Sequence, residues 1–201
     1  QTLCGGRAVD EACVKLRQDL DSRPWQPGEE RRAEYYYACD PCFAIGDFEG
    51  AKKRGAKYRN FPAYAYATQA AIVEVDRETG EVRLLKVIAA HDVGRAINPH
   101  IIEGQMHGSC SMGQGYARSE GSPTENGYPV KTLYRQLGLP RAEDTPDYEI
   151  ILIEDPEPQG PFGAKGISEV ATVPVTPAIL NAVSRAIGVR INKVPASPEV
   201  V

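Results

Sequence analysis

Apolar residues recur at two spacings along the chain, and the change of spacing separates predicted helices from predicted strands. From Ala8 to Leu20 they lie about three or four positions apart, which is typical of an amphipathic helix. From Ala63 to Asp76 they alternate with polar residues, and after the turn Arg77-Glu78-Thr79-Gly80 a second alternating run extends from Glu81 to Ala90. Two alternating runs joined by a tight turn predict a β-hairpin.

Other segments carry weaker patterns. The aromatic run Tyr35–Cys39 and the apolar run Tyr148–Ile153 both predict strands. The polar, basic stretch Asp47–Asn60 predicts a loop, and residues 119–147, rich in Gly, Pro and Thr, predict a long surface excursion.

A second helix is predicted to begin at Pro99, with Asn98 as its N-cap, and to continue to about Tyr116. This helix is unusual because it contains four glycines: Gly104, Gly108, Gly113 and Gly115. A glycine in a helix interior costs about 1 kcal/mol relative to alanine. So many glycines indicate that another backbone or a ligand comes very close to the helix.

The C-terminal part predicts one more helix, from about Pro177 to Ile187, which Gly188 ends. Predicted strands and helices are mixed along the chain but do not alternate strictly. That order favours the α+β class over a doubly wound parallel sheet.

Composition narrows the class of protein. The 201 residues include 23 Lys and Arg against 27 Asp and Glu, a net charge of −4, which argues against a general nucleic-acid binder. No apolar run approaches the roughly 20 residues of a membrane-spanning helix. Five cysteines do not make a disulfide scaffold in a chain of this size, and a cytoplasmic protein without a membrane or nucleic-acid partner is expected. The chain opens at Gln1 rather than Met, so we expect a fragment or a separately encoded part of a larger subunit.

Two motifs are weak. Cys39-Asp40-Pro41-Cys42 is a lone CxxC without the second pair that a structural zinc site needs, so two unpaired cysteines are favoured over a zinc or redox site. His91 precedes Asp92, but adjacent strand residues point to opposite faces. A structural histidine is therefore favoured over an oriented general base.

The strongest constellation is the loop from Gly160 to Glu169. Its small residues leave backbone N–H groups free for an anion or polar ligand, Lys165 can hold a charged group, and Glu169 is a candidate general base. From spacing alone, a surface ion pair between Lys165 and Glu169, four residues apart, is favoured over this role.

Three blocks together resemble the C-terminal part of the molybdenum-binding subunit in the xanthine dehydrogenase and aldehyde oxidoreductase family, the molybdenum hydroxylases. The resemblance covers nearly the whole chain, and its blocks stand in the family's order. They are Val73–Val82; His91–Pro99 continuing through Glu103-Gly104-Gln105 to Gly113–Ala117; and Gly163–Glu169 followed by Gly188–Ile191.

The resemblance implies a fold and a role for individual residues. The fold would be a mixed sheet with flanking helices, all of residues 1–201 forming the C-terminal molybdopterin-binding domain. Glu169 matches the family's general base, which takes a proton from a water-derived oxygen during hydroxylation of an aldehyde or a purine-like N-heterocycle. Gln105, Lys165, Ser168 and Gln1 match positions that contact the molybdenum-pterin cofactor.

The resemblance also implies partners, and the chain departs from the family pattern at Ser168. The chain matches only one of two cofactor-binding domains, so the remainder of the subunit, the 2Fe-2S clusters and FAD are expected on partner domains or subunits. The family commonly has Gly where Ser168 stands. Because the chain matches only one of the two cofactor-binding domains, it is expected to be inactive in isolation. Two alternatives stay open: a non-catalytic structural module that pairs with a molybdenum-binding partner, and a small metal-free enzyme using Lys165 and Glu169.

Overall fold

A computed structural model describes residues 2–201 and divides the chain into two units. The first unit contains the residues up to Ala65 together with Val93–Ile97 and Glu154–Gly166. The second unit contains Tyr66–Asp92, Asn98–Ile153 and Ile167–Val201. Each unit is therefore assembled from segments far apart in sequence.

The first unit has two helices, α1 (Thr2–Ser22) and α2 (Phe48–Lys53). Helix α1 begins earlier than the apolar pattern predicts and includes Gly6, where an added Cβ would lie 2.6 Å from Cγ of Pro161. Helix α2 forms inside the predicted polar loop, because the carboxylate of Asp47 accepts a hydrogen bond from the Gly50 N–H at its first turn. The predicted strand Tyr35–Cys39 is wrong, since these residues pair with no other strand in residues 2–201.

The second unit is built on a three-stranded mixed sheet. Strands β1 (Ala67–Val75) and β2 (Val82–Asp92) form the predicted antiparallel hairpin, with a bulge between Ile72 and Val73. Strand β5 (Asp147–Ile153) pairs with β2 in parallel, so β2 is central. The predicted α+β class with a mixed sheet is confirmed.

Two helices cover one face of this sheet, α3 (Pro99–Arg118) and α4 (Val175–Ile187). The side chain of Asn98 accepts a hydrogen bond from the Ile101 N–H, as expected of an N-cap, and Gly188 ends α4 in the left-handed conformation with φ of 77°. The core between sheet and helices is fully buried and includes Val87, Met106, Cys110, Ile179 and Val183.

The glycines of α3 serve two different purposes. An added Cβ on Gly113 would lie 2.5 Å from Cβ of Val175 on α4, so this glycine allows the two helices to pack closely. Gly104 and Gly108 instead face open space. The predicted close approach is thus confirmed at Gly113, where the neighbour is another helix.

The segment between α3 and β5 is the predicted surface excursion. It holds the short hairpin β3 (Thr124–Glu125) and β4 (Tyr128–Pro129), followed by 3-10 turns at Tyr134–Gln136 and Ala142–Asp144. None of the residues in these elements is buried. The excursion therefore adds little to the core.

One segment, Glu169–Ile187, is long and apolar enough by composition to cross a membrane, contrary to the expectation from the sequence. Within it Val175, Ile179 and Val183 are fully buried in the core of the second unit. The apolar side chains of this segment that face the sheet therefore belong to the core of the second unit.

Candidate cofactor-binding site

Glu169 opens a short 3-10 turn, Glu169–Ala171, which the segment 172–174 joins to α4. The Thr172 N–H donates to the Glu169 carbonyl oxygen at 3.0 Å and closes the turn. Both Ser168 and Glu169 are exposed in this chain. The carboxylate is therefore available to a ligand or to a neighbouring domain.

Helix α3 holds the residue before Glu169. The Ser109 hydroxyl donates to the Ser168 carbonyl oxygen at 3.3 Å, and the Gln105 amide donates to the Ser109 hydroxyl at 3.4 Å. Gln105 and Ser109 lie one helical turn apart and so share a face of α3. Two predicted site residues, Gln105 and Ser168, are thereby brought together, and the sequence did not single out Ser109, which links them.

Strand β1 holds the other end of the turn. The Gln69 amide nitrogen donates to the Ala171 carbonyl oxygen at 3.0 Å and lies 2.8 Å from Nε2 of His91. His91 on β2 is fully buried, and that burial lowers its pKa, which favours the neutral ring. The sequence predicted a structural role for His91, but no pattern in it indicated Gln69.

Lys165 belongs to the first unit. It is buried, and its ammonium nitrogen lies 3.5 Å from a carboxylate oxygen of Asp155. The expectation that Lys165 is half of a surface pair is wrong. A buried lysine beside a carboxylate is held in one place, which suits a residue that fixes a charged or polar group.

The backbone around Lys165 is fixed by a second segment of the first unit. The Lys165 N–H donates to the Val93 carbonyl oxygen at 3.1 Å, and the Arg95 N–H donates to the Gly163 carbonyl oxygen at 2.9 Å. Gly94, between Val93 and Arg95, has a φ of 63°, and a side chain there would collide with the Gly163 carbonyl oxygen. Parts of two sequence blocks that resemble the molybdenum hydroxylases therefore meet in space.

The exposed face of α3 fits an organic cofactor. Gly104 and Gly108 leave open space beside the exposed Gln105, so a bulky flat group can reach the helix backbone there. The Gln105 amide and the Ser168 hydroxyl can each donate and accept hydrogen bonds, which is compatible with a pterin or a phosphate group. No group of three His, Cys, Asp or Glu side chains in residues 2–201 is placed to hold a metal ion by itself.

Gln1 and the two CxxC cysteines complete the residues that the sequence singled out. Gln1, expected to contact the cofactor, lies outside the described residues. Cys39 and Cys42 are free thiols, and the Cys42 thiol donates weakly to the Asp40 carbonyl oxygen at 3.6 Å.

Known proteins show the class of this fold. The description "Molybdopterin cofactor-binding domain" belongs to a family profile that matches residues 1–146. In Bacillus subtilis, a protein named as part of a probable xanthine dehydrogenase is 36% identical over 137 residues, covering 68% of this chain and 18% of that protein. The 6-hydroxypseudooxynicotine dehydrogenase complex subunit gamma of Paenarthrobacter nicotinovorans is 33% identical over 168 residues, covering 81% of this chain and 21% of that protein.

A solved structure gives the same result. The aldehyde oxidoreductase of Desulfovibrio desulfuricans superposes with a TM-score of 0.76 at 26% identity, covering 98% of this chain and 22% of that one. The fold is thus that of a molybdenum-cofactor-binding domain. The chain belongs to the molybdopterin cofactor-binding family of the molybdenum hydroxylases, and it spans about a fifth of the length of the relatives it matches.

Proposed function

We propose that this chain is part of a molybdenum hydroxylase that oxidises an aldehyde or a purine-like N-heterocycle with an oxygen derived from water, and that Glu169 is the general base. The observation that carries the proposal is the exposed Glu169 turn, whose preceding residue is tied to Gln105 through Ser109. Family membership supplies the reaction class.

The chain's own residues have distinct tasks in this proposal. The molybdenum-pterin cofactor, when bound, supplies the redox chemistry, and the protein supplies binding and proton transfer. Gln105 and Ser168 hydrogen-bond the cofactor from α3 and from the turn. Lys165 contributes a buried positive charge to the loop before the turn. Gln1 is proposed to make a further cofactor contact.

Glu169 has one task, to accept a proton from the attacking oxygen. A positioned general base contributes roughly 10²–10⁴-fold to a rate. Because the carboxylate is exposed in this chain, a surface outside residues 2–201 must cover it before it acts in a site closed to water.

The proposed assembly follows from length. The matched relatives are about four times as long as this chain, and their names describe subunits of larger enzymes. We place the rest of the molybdenum-binding subunit, the 2Fe-2S clusters and FAD on partner domains or subunits, in the cytoplasm. The isolated chain is proposed to be inactive.

The direct test is Glu169→Gln in the assembled enzyme, with molybdenum measured by mass spectrometry on the same sample. We expect kcat to fall by about 10²-fold or more while the molybdenum content stays at the wild-type level. Glu78→Gln, an exposed carboxylate in the β1–β2 turn, is the matched control and keeps full activity. Full activity of Glu169→Gln excludes this residue as the base. Absence of molybdenum from the wild-type assembly supports the non-catalytic module instead.

A further inference from the structure

We propose that Gln69 and His91 are positioning residues that hold the Glu169 turn in its working conformation. The inference rests on the proposed function only in giving Glu169 a role. The hydrogen bonds themselves lie within the second unit and are independent of that role.

The turn is held at both ends by side chains from different elements. On one side of Glu169 the Ser168 carbonyl oxygen accepts from Ser109 of α3. On the other side the Ala171 carbonyl oxygen accepts from Gln69 of β1 at 3.0 Å. The backbone that carries the Glu169 side chain therefore lies between two fixed carbonyl groups, which limits where the carboxylate can point.

His91 determines the orientation of the Gln69 amide. The Ala171 carbonyl oxygen can only accept, so the NH₂ group of Gln69 must face it. The same nitrogen lies 2.8 Å from His91 Nε2, which must then accept the second hydrogen. The ring is assigned on this basis as neutral with its hydrogen on Nδ1. An accepting Nε2 favours the amide orientation that binds the turn.

The pair is an unfavourable choice for packing alone. His91 Nδ1 and Gln69 Oε1 are buried, and neither has a hydrogen-bond partner within residues 2–201. Buried polar atoms without partners destabilise a fold, and apolar residues of similar shape avoid that loss. A polar pair that bonds the Glu169 turn at the expense of two unsatisfied atoms is accounted for by a positioning role.

The first test measures the turn directly in the complete molybdenum-binding subunit, without reference to turnover. Gln69→Met keeps the side-chain length and removes both donated hydrogens. We expect amide hydrogen exchange in residues 168–175 to become about tenfold faster, because the variant loses the one or two hydrogen bonds by which the Gln69 amide holds the turn. Val73→Ala is the control, because Val73 lies on the same strand and packs in the core, but its apolar side chain cannot donate a hydrogen bond to the turn. Unchanged exchange in Gln69→Met, or an equal change in Val73→Ala, overturns the proposal.

The second test uses His91 and separates orientation from packing. His91→Gln retains an acceptor for the Gln69 amide, whereas His91→Leu does not. We expect His91→Leu to reproduce the faster exchange and to lower kcat about tenfold with KM within about twofold, and His91→Gln to stay near wild type. Identical behaviour of the two variants overturns the proposal even where Gln69→Met fails to fold.

The outcomes also separate this inference from the proposed function. Faster exchange in Gln69→Met together with full activity of Glu169→Gln overturns Glu169 as the base and, with it, the positioning role. The hydrogen bond from Gln69 to the turn is still supported in that case. Loss of activity in Glu169→Gln together with unchanged exchange in Gln69→Met supports Glu169 as the base and overturns the proposal that Gln69 and His91 hold the turn.

Discussion

At the scale of single residues, burial decides the protonation of His91. The side chain is fully buried, and this desolvation lowers its pKa below the usual 6.5. In the unfolded chain the same ring takes up a proton near pH 6.5. Between these two pKa values the unfolded state binds more protons, so the free energy of unfolding falls as the pH decreases.

This linkage predicts a difference between wild type and His91→Gln. Above pH 6.5 the His91 contribution is constant, and from pH 6.5 downward to the lowered pKa it is progressively lost. We therefore expect urea unfolding at pH 7.5, 6.5 and 5.5 to show a steeper loss of stability in the wild type than in His91→Gln. Parallel curves for the two proteins would show that burial does not perturb this ring.

At the scale of elements, the packing of α3 on α4 depends on one missing side chain. Gly113 faces Val175 at a distance that leaves no space for a Cβ atom, whereas Gly108, in the same helix, faces open space. Replacement by alanine is therefore expected to have opposite effects on stability at these two positions.

We expect Gly113→Ala to destabilise the protein by about 1–3 kcal/mol, because the new methyl group forces the helices apart. In Gly108→Ala the new methyl group meets no neighbour, so only the higher helix propensity of alanine acts, and we expect a stabilisation of up to about 1 kcal/mol. Thermal unfolding of both variants is the measurement. A stabilised Gly113→Ala would mean that α4 moves aside without penalty.

The elements also show what the sequence could predict. The hairpin, the start of α3 and the end of α4 depend on local signals: alternation, the Arg77–Gly80 turn, the Asn98 cap and Gly188. The run Tyr35–Cys39 has strong strand propensity but finds no partner strand, and propensity alone does not make a strand. The contacts of Ser109 and Gln69 with the Glu169 turn join residues 59 and 102 positions apart, which no local pattern encodes.

At the scale of the whole molecule, the second unit's own helices α3 and α4 cover one face of its sheet. On its other face Ile72, Ile151 and Ile153 are 48%, 42% and 50% exposed, beside Ala70 and Ala90. Parallel strand pairs such as β2 and β5 are normally covered on both faces. Exposed apolar surface of this kind favours association.

We expect the purified 201-residue chain to show a mass that rises with concentration in static light scattering. The double variant Ile72→Thr with Ile151→Thr keeps β-branched residues in the strands and should reduce this rise. Val189→Thr is the control, since Val189 is 65% exposed but lies after α4 and outside the sheet. A concentration-independent mass for the wild type contradicts the expectation.

The pairing of β2 with β5 has a consequence for the order of folding. Lys86 pairs with Asp147, some sixty residues later, whereas β1 and β2 are joined by a short turn. Local hairpins form early, and pairings that close long loops form late. During synthesis the hairpin therefore emerges and folds first, with one edge of β2 unpaired until the ribosome has released β5. During that interval the edge of β2 that will pair with β5 has unpaired backbone groups, and a chaperone or a wrong partner strand competes with β5 for this edge.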